Sequence, residues 1–127
     1  MLRVLCAAGL AFLLAACSAS APKLYKVTGT VSWKGAPIEN GRINLIAVDG
    51  GSPPASAKIE NGKFELQAAA GLKRVEVFNQ KVKGYDKVMG ANAFYNDIPG
   101  EYNGETKLRF EVQPNDDNVL ELVLPQK

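Results

Sequence analysis

Residues 57–66 read Ala-Lys-Ile-Glu-Asn-Gly-Lys-Phe-Glu-Leu, and this stretch decides the fold class. Ala57 and Ile59 alternate with Lys58 and Glu60 on the way into Asn61-Gly62. Phe64 and Leu66 alternate with Lys63 and Glu65 on the way out. Alternation of period two sets one face of an extended strand against an apolar core and the other in water. Asn-Gly between two such runs is a hairpin signal, because both residues tolerate positive φ.

The same alternation extends in both directions. Upstream, Tyr25, Val27, Val31 and Trp33 share a face opposite Lys26, Thr28, Thr30 and Ser32, and Lys34-Gly35-Ala36-Pro37 then turns the chain. After Asn40-Gly41 a strand runs through Ile43, Leu45 and Ala47. Asp49-Gly50-Gly51-Ser52-Pro53-Pro54 breaks the pattern. Downstream, Gly71 opens a strand through Val75 and Val77. Leu108, Phe110 and Val112 alternate with Lys107, Arg109 and Glu111. Pro114 to Asn118 reads as a polar turn, and Leu120, Leu122 and Leu124 close the series. No segment sustains a helical period. About seven short strands, each with one apolar face, predict an all-β domain over 24–127, an antiparallel sandwich. A small closed barrel has the same periodicity and is the rival architecture.

Composition limits the chemistry. The 127 residues hold no histidine and two cysteines, Cys6 and Cys17. The predicted domain therefore has no internal disulfide, no imidazole base and no Cys/His metal set. No cofactor or metal is expected. Lys and Arg total 15 against 13 Asp and Glu. No basic stripe tracks a phosphate backbone, which argues against nucleic acid as a partner. There is no Gly-x-Ser-x-Gly setting for a nucleophile. Glu39, Glu60, Asp97 and Glu101 show no pairing in sequence, so the expectation is a protein that is not an enzyme. Asn115-Asp116-Asp117-Asn118 lacks the spacing and the glutamate of a calcium loop and reads as a turn.

The first residues read as a leader. Met1-Leu2-Arg3 is a short positive segment, and Val4–Leu14 is uncharged and apolar. That run is much shorter than the roughly 20 residues that span a bilayer, so a signal peptide over 1–16 is predicted. Leu14-Ala15-Ala16-Cys17 resembles the lipobox of bacterial lipoproteins at each of its positions. The resemblance implies cleavage before Cys17, diacylglycerol on its sulfur and acylation of the new amino group. Two or more acyl chains make a stable anchor where one is marginal. Residues 17–23 would then be the lipidated cysteine and a short tether. Ser18, in place of Asp, resembles lipoproteins sent to an outer membrane. The expected address is the cell envelope, on the periplasmic face of the outer membrane before the inner. An ordinary secretory leader cut at Ala19-Ser20-Ala21 is the alternative.

The order of pieces also resembles a family. Val27-Thr28-Gly29-Thr30-Val31 with Gly35-Ala36-Pro37-Ile38 is similar to the opening of carboxypeptidase-regulatory-like domains, which are transthyretin-like sandwiches. Gly41–Ala47, Phe64 with Leu66, and Gly71–Val77 follow in the family's order. Ile98-Pro99, Tyr102-Asn103 and Leu108–Val112 resemble the close of short lipoproteins of this kind. Leu72-Lys73 departs from the pattern, where a tyrosine more often follows the glycine. The resemblance implies a binding, spacing or structural module.

One segment stands apart. Residues 79–104 read as a loop, and a connection that long is usually functional or disordered. Lys83, Tyr85, Lys87, Phe94 and Tyr95 are its candidate contact residues, aromatic rings beside basic groups that could stack on and clamp a sugar. The reading favoured over that one is that the rings of Tyr85, Phe94 and Tyr95 pin the loop to the domain, with Tyr102 hydrogen-bonded back to the chain. Trp33, on an apolar strand face, is expected in the core. The combined expectation is a lipid-anchored, non-catalytic structural or protein-interaction module. Its alternative is a module that binds envelope glycans or another small ligand through 80–104.

Overall fold

The computed structural model describes residues 21–126; the predicted leader and Cys17 lie outside them. The Asn61-Gly62 hairpin is present. Both residues have positive φ, 52° and 77°, and they join β4 (Ala55–Glu60) to β5 (Lys63–Ala69). Gly62 N donates to Ile38 O, and Gly62 O accepts from Val31 N, each at 2.7 Å. A Cβ on Gly62 would lie 2.7 Å from Pro37 Cβ, so glycine is needed there for space as well as for φ.

Around this hairpin the described chain is all-β. Its other strands are β1 (Leu24–Trp33), β2 (Ala36–Pro37), β3 (Asn40–Ala47), β6 (Gly71–Asp86), β7 (Ala91–Asn96), β8 (Arg109–Val112) and β9 (Asn118–Leu124). A single 3-10 turn, Gly100–Tyr102, interrupts them. No helix among the described residues is long and apolar enough to cross a membrane. The strands form one curled sheet in the order β2-β1-β5-β4-β3-β6-β7, with β8 on β6 and β9 on β1. β4 and β5 pair only at Glu60 and Lys63, so the sheet bends sharply at that turn. Every pairing is antiparallel except β1 with β9, which runs parallel from Val27↔Asn118 to Trp33↔Leu124. The antiparallel arrangement expected from the sequence holds for every other pairing. The last strand returns beside the first in the same direction, a long-range pairing that alternation within each strand cannot reveal.

Alternating residues from both arms of the curl meet in one core. Val27 and Val31 of β1, Leu66 of β5 and Leu120, Leu122 and Leu124 of β9 come from one side. Ile43, Leu45, Ile59, Val75, Val77 and Val112 come from the other. Each fully buried aliphatic side chain contributes about 1.5–3 kcal/mol, which lets the domain hold together without a disulfide. Lys73 breaks the apolar row of β6. It is buried, and its ammonium donates to Ser52 Oγ at 2.9 Å.

Polar side chains close the two ends. Asn118 Oδ1 accepts from Gln113 N at 2.8 Å, while Nδ2 donates to Asn115 O at 2.8 Å, Gln113 O at 3.1 Å and Lys26 O at 3.3 Å. Asp116 Oδ1 accepts from Lys26 N at 2.9 Å. The 115–118 segment is thus a turn whose side-chain oxygens satisfy the backbone. At the other end the Tyr102 hydroxyl accepts from Gln126 N at 3.0 Å. Its buried ring meets Trp33 edge-on, with centroids 6.0 Å apart. Trp33 packs against the core, as its strand position predicts.

The largest difference from the sequence reading is the segment 79–104. It is not a loop but mostly a β-hairpin arm. β6 runs on past its last pairing with β3 (Gly41↔Asn79), and residues 80–86 pair only with β7. Two physical causes hid it. A register shift between Val82 and Gly84 breaks the alternation, and neither face of the arm is buried. A periodicity test needs one buried face to succeed.

Candidate functional site

The arm is built from its root outward. Asn96 Oδ1 accepts from Asn79 N at 3.0 Å and Ile98 N at 3.1 Å, and Asn96 Nδ2 donates to Ile98 O at 3.1 Å. Asn103 Nδ2 donates to Ile98 O at 3.0 Å and Pro99 O at 3.1 Å. With Ile98 and Tyr102 buried in the core, these bonds fix where the returning chain leaves β7. The tip is closed by Asp86. Its Oδ1 accepts from Val88 N at 2.8 Å and Met89 N at 3.1 Å, and its carbonyl accepts from Gly90 N at 2.9 Å. An aspartate that bonds backbone two and three residues on is the usual chemistry of a tight turn.

What the arm presents is apolar, aromatic and basic together. Val88 is 95% exposed and Met89 77% at the tip. Tyr85, Val82, Phe94 and Tyr95 are also exposed along it, so the three rings do not pin the segment to the domain as the sequence reading expects. Lys81, Lys83 and Lys87 supply positive charge, and the carboxylate of Asp86 is occupied with the turn. β7 itself, Ala-Asn-Ala-Phe-Tyr-Asn, carries no charge and no proline, and it has no strand on its far side among the described residues. Among the other outer strands, β2 is two residues long and contains Pro37, β8 carries Arg109 and Glu111, and β9, which pairs only with β1, carries Glu121. An uncharged free edge is what natural sheets ordinarily avoid unless something pairs with it.

At the root, between the arm and the outer face of β3 and β4, lies an open cleft of about 380 Å³. Arg42 and Lys58 line it from directly opposed positions on β3 and β4, and Phe78 stands opposite Arg42 on β6. Gln80, Phe94 and Tyr95 close its arm side. The sequence-read contact residues therefore divide. Phe94 and Tyr95 reach the cleft, whereas Lys83, Tyr85 and Lys87 lie farther out along the arm and do not line it. Arg42, Lys58 and Phe78 escaped the sequence reading because they come from three separate strands. Only the cross-strand register brings them together. The described residues contain no group of three His, Cys, Asp or Glu side chains able to hold a metal ion.

No protein-family model matches the chain, and no curated protein matches it. Among solved structures, a 9R-lipoxygenase from Cyanothece PCC8801 is similar at a TM-score of 0.40 and 18% identity. The match covers 80% of this chain and 16% of that one. A likeness this slight says nothing of fold or chemistry, and the site stands on its own geometry.

Proposed function

We propose that the protein is a lipid-anchored envelope module, not an enzyme, that engages another envelope protein through the β6–β7 arm. The observation that carries this reading is the arm itself. It combines a rigid root, a free uncharged strand edge and an exposed Val88-Met89 tip. An unpaired edge recruits an extended segment by main-chain hydrogen bonds, with side-chain contacts giving specificity. On this reading the body is a transthyretin-like sandwich: β1, β5 and β9 form one face, β3, β4, β6 and β8 the other, and the β4–β5 turn is the corner between them. The Leu14–Cys17 tetrad supports lipidation at Cys17 and an address on a bacterial membrane.

The topology gives the reading a direction. β1 begins at Leu24 opposite Ala69, at the end of the body where β5 finishes and β6 starts. β6 leaves the body at the opposite end and continues through 80–86, roughly 20 Å at the usual strand rise. A tether over 17–23 reaches at most about 25 Å. In an anchored domain the tether and the arm would leave from opposite ends of the body, an arrangement suited to a spacer that presents a docking edge.

Replacing Val88 and Met89 together with serine tests the proposal. Both side chains are solvent-exposed, so stability should change by no more than about 0.5 kcal/mol. Tagged full-length protein solubilised from membranes should recover a stoichiometric protein partner, and the double variant should recover it at least about tenfold less well. Equal recovery by both proteins, or no partner with either, would overturn the proposal.

A further inference from the structure

Independently of the arm's tip, the cleft at its root has the chemistry of a small-ligand site. Arg42 and Lys58 face each other across β3 and β4, an arrangement of like charges that destabilises a sheet. Neither forms an ion pair among the described residues, where Lys26–Glu65 and Arg74–Glu76 do. The next acidic side chain along β6 cannot neutralise them. Glu76 is held by Arg74 at 3.4 Å and accepts from Asn44 Nδ2 at 3.3 Å. Glu60, two residues beyond Lys58 on β4, makes no ion pair with it among the described residues. No carboxylate lines the cleft. Two adjacent cations with no ion-pair partner among the described residues make a place for an anion.

The walls narrow the class of anion. Phe78, Phe94 and Tyr95 offer rings on which an apolar ligand face can lie, and Phe94 and Tyr95 are about half exposed. The amides of Asn40 and Gln80 make no side-chain hydrogen bond among the described residues, which leaves donors and acceptors for hydroxyl groups. Asn96 is different: both ends of its amide are committed to Asn79 and Ile98. A volume of about 380 Å³ falls at the small end of ligand sites, which run from roughly 300 to 1,000 Å³. A guanidinium meets a carboxylate in a planar, two-point contact.

We propose that this cleft binds an acidic saccharide, a sugar ring carrying a carboxylate. Arg42 and Lys58 take the carboxylate, Phe94 with Phe78 stacks against the ring, and Asn40 with Gln80 bonds the hydroxyls. The experiment is calorimetric titration of detergent-solubilised full-length protein with digalacturonic acid and N-acetylmuramic acid, and with cellobiose as the neutral counterpart. At least one acidic sugar should bind more tightly than about 1 mM, with cellobiose at least tenfold weaker. Arg42→Ala and Phe94→Ala should each weaken that binding about tenfold to a hundredfold. Tyr85→Ala, farther out on the arm, should leave it unchanged. Equal affinity for the neutral sugar, no saturable binding of either acidic sugar, or full affinity in the Arg42 and Phe94 variants would each overturn the proposal. A response to an acidic peptide in place of both sugars would overturn it as well.

Discussion

Gly29→Val is expected to destabilise the domain by about 3 kcal/mol, the upper end of what overpacking costs. Gly29 lies between two strands, opposite Phe64 on β5 and Leu120 on β9. A Cβ there would collide with the Leu120 carbonyl oxygen and lie 2.7 Å from Phe64 Cε1. The phenyl ring could shift, but the carbonyl is backbone in a paired strand and has nowhere to go without opening the β1–β9 ladder. Domains of this size have about 5–15 kcal/mol in total, so the loss is a large share. In urea titration the midpoint should fall by roughly 1–3 M. Gly104→Ala is the control: nothing lies within 4 Å of its added Cβ, and its midpoint should stay within error. A Gly29 variant as stable as that control would mean that β9 does not pair with β1 as described.

The second large effect belongs to the anchor. Cys17→Ser removes the sulfur that the lipobox reading requires and, with it, the acyl chains that make membrane attachment effectively permanent. The variant should move from the membrane fraction to the soluble fraction almost completely, or accumulate as an unprocessed precursor. Either outcome is read by fractionation and by the mass of the N-terminal fragment. Wild-type processing with unchanged retention would contradict lipidation and favour cleavage at Ala19-Ser20-Ala21. Because the described domain does not include Cys17, its urea midpoint should be the same in both forms.

Much of the body was legible residue by residue. Ile59, Asn61-Gly62 and Phe64 mark the hairpin because strand alternation and turn chemistry are local properties. Trp33 packs against the core as its strand face indicates, and Tyr102 bonds back to the chain as the turn pattern indicates. The hydrogen-bond partner of Tyr102 is Gln126, 24 residues on, which no local pattern indicates. Asn118 was one polar letter in a turn, and its four-bond role depends on Lys26, 92 residues away. The arm was lost for a different reason. Gly84 sits at a bulge, both faces are wet, and Lys81-Val82-Lys83 next to Ala93-Phe94-Tyr95 looks like a polar loop with scattered rings. The cleft required register. Arg42, Lys58 and Phe78 are 16 to 36 residues apart in sequence and become neighbours only when β4, β3 and β6 are laid side by side.

The claim that the arm is the working surface can be tested in living cells. A photo-crosslinking residue is placed at Met89 on the tip and, separately, at Val48, which is 52% exposed and follows β3 at the end of the body where β1 begins. The account predicts a single, abundant protein adduct from position 89 and none of that species from position 48. Adducts to lipid or wall fragments alone from position 89, or the same protein adducts from both positions, would contradict it.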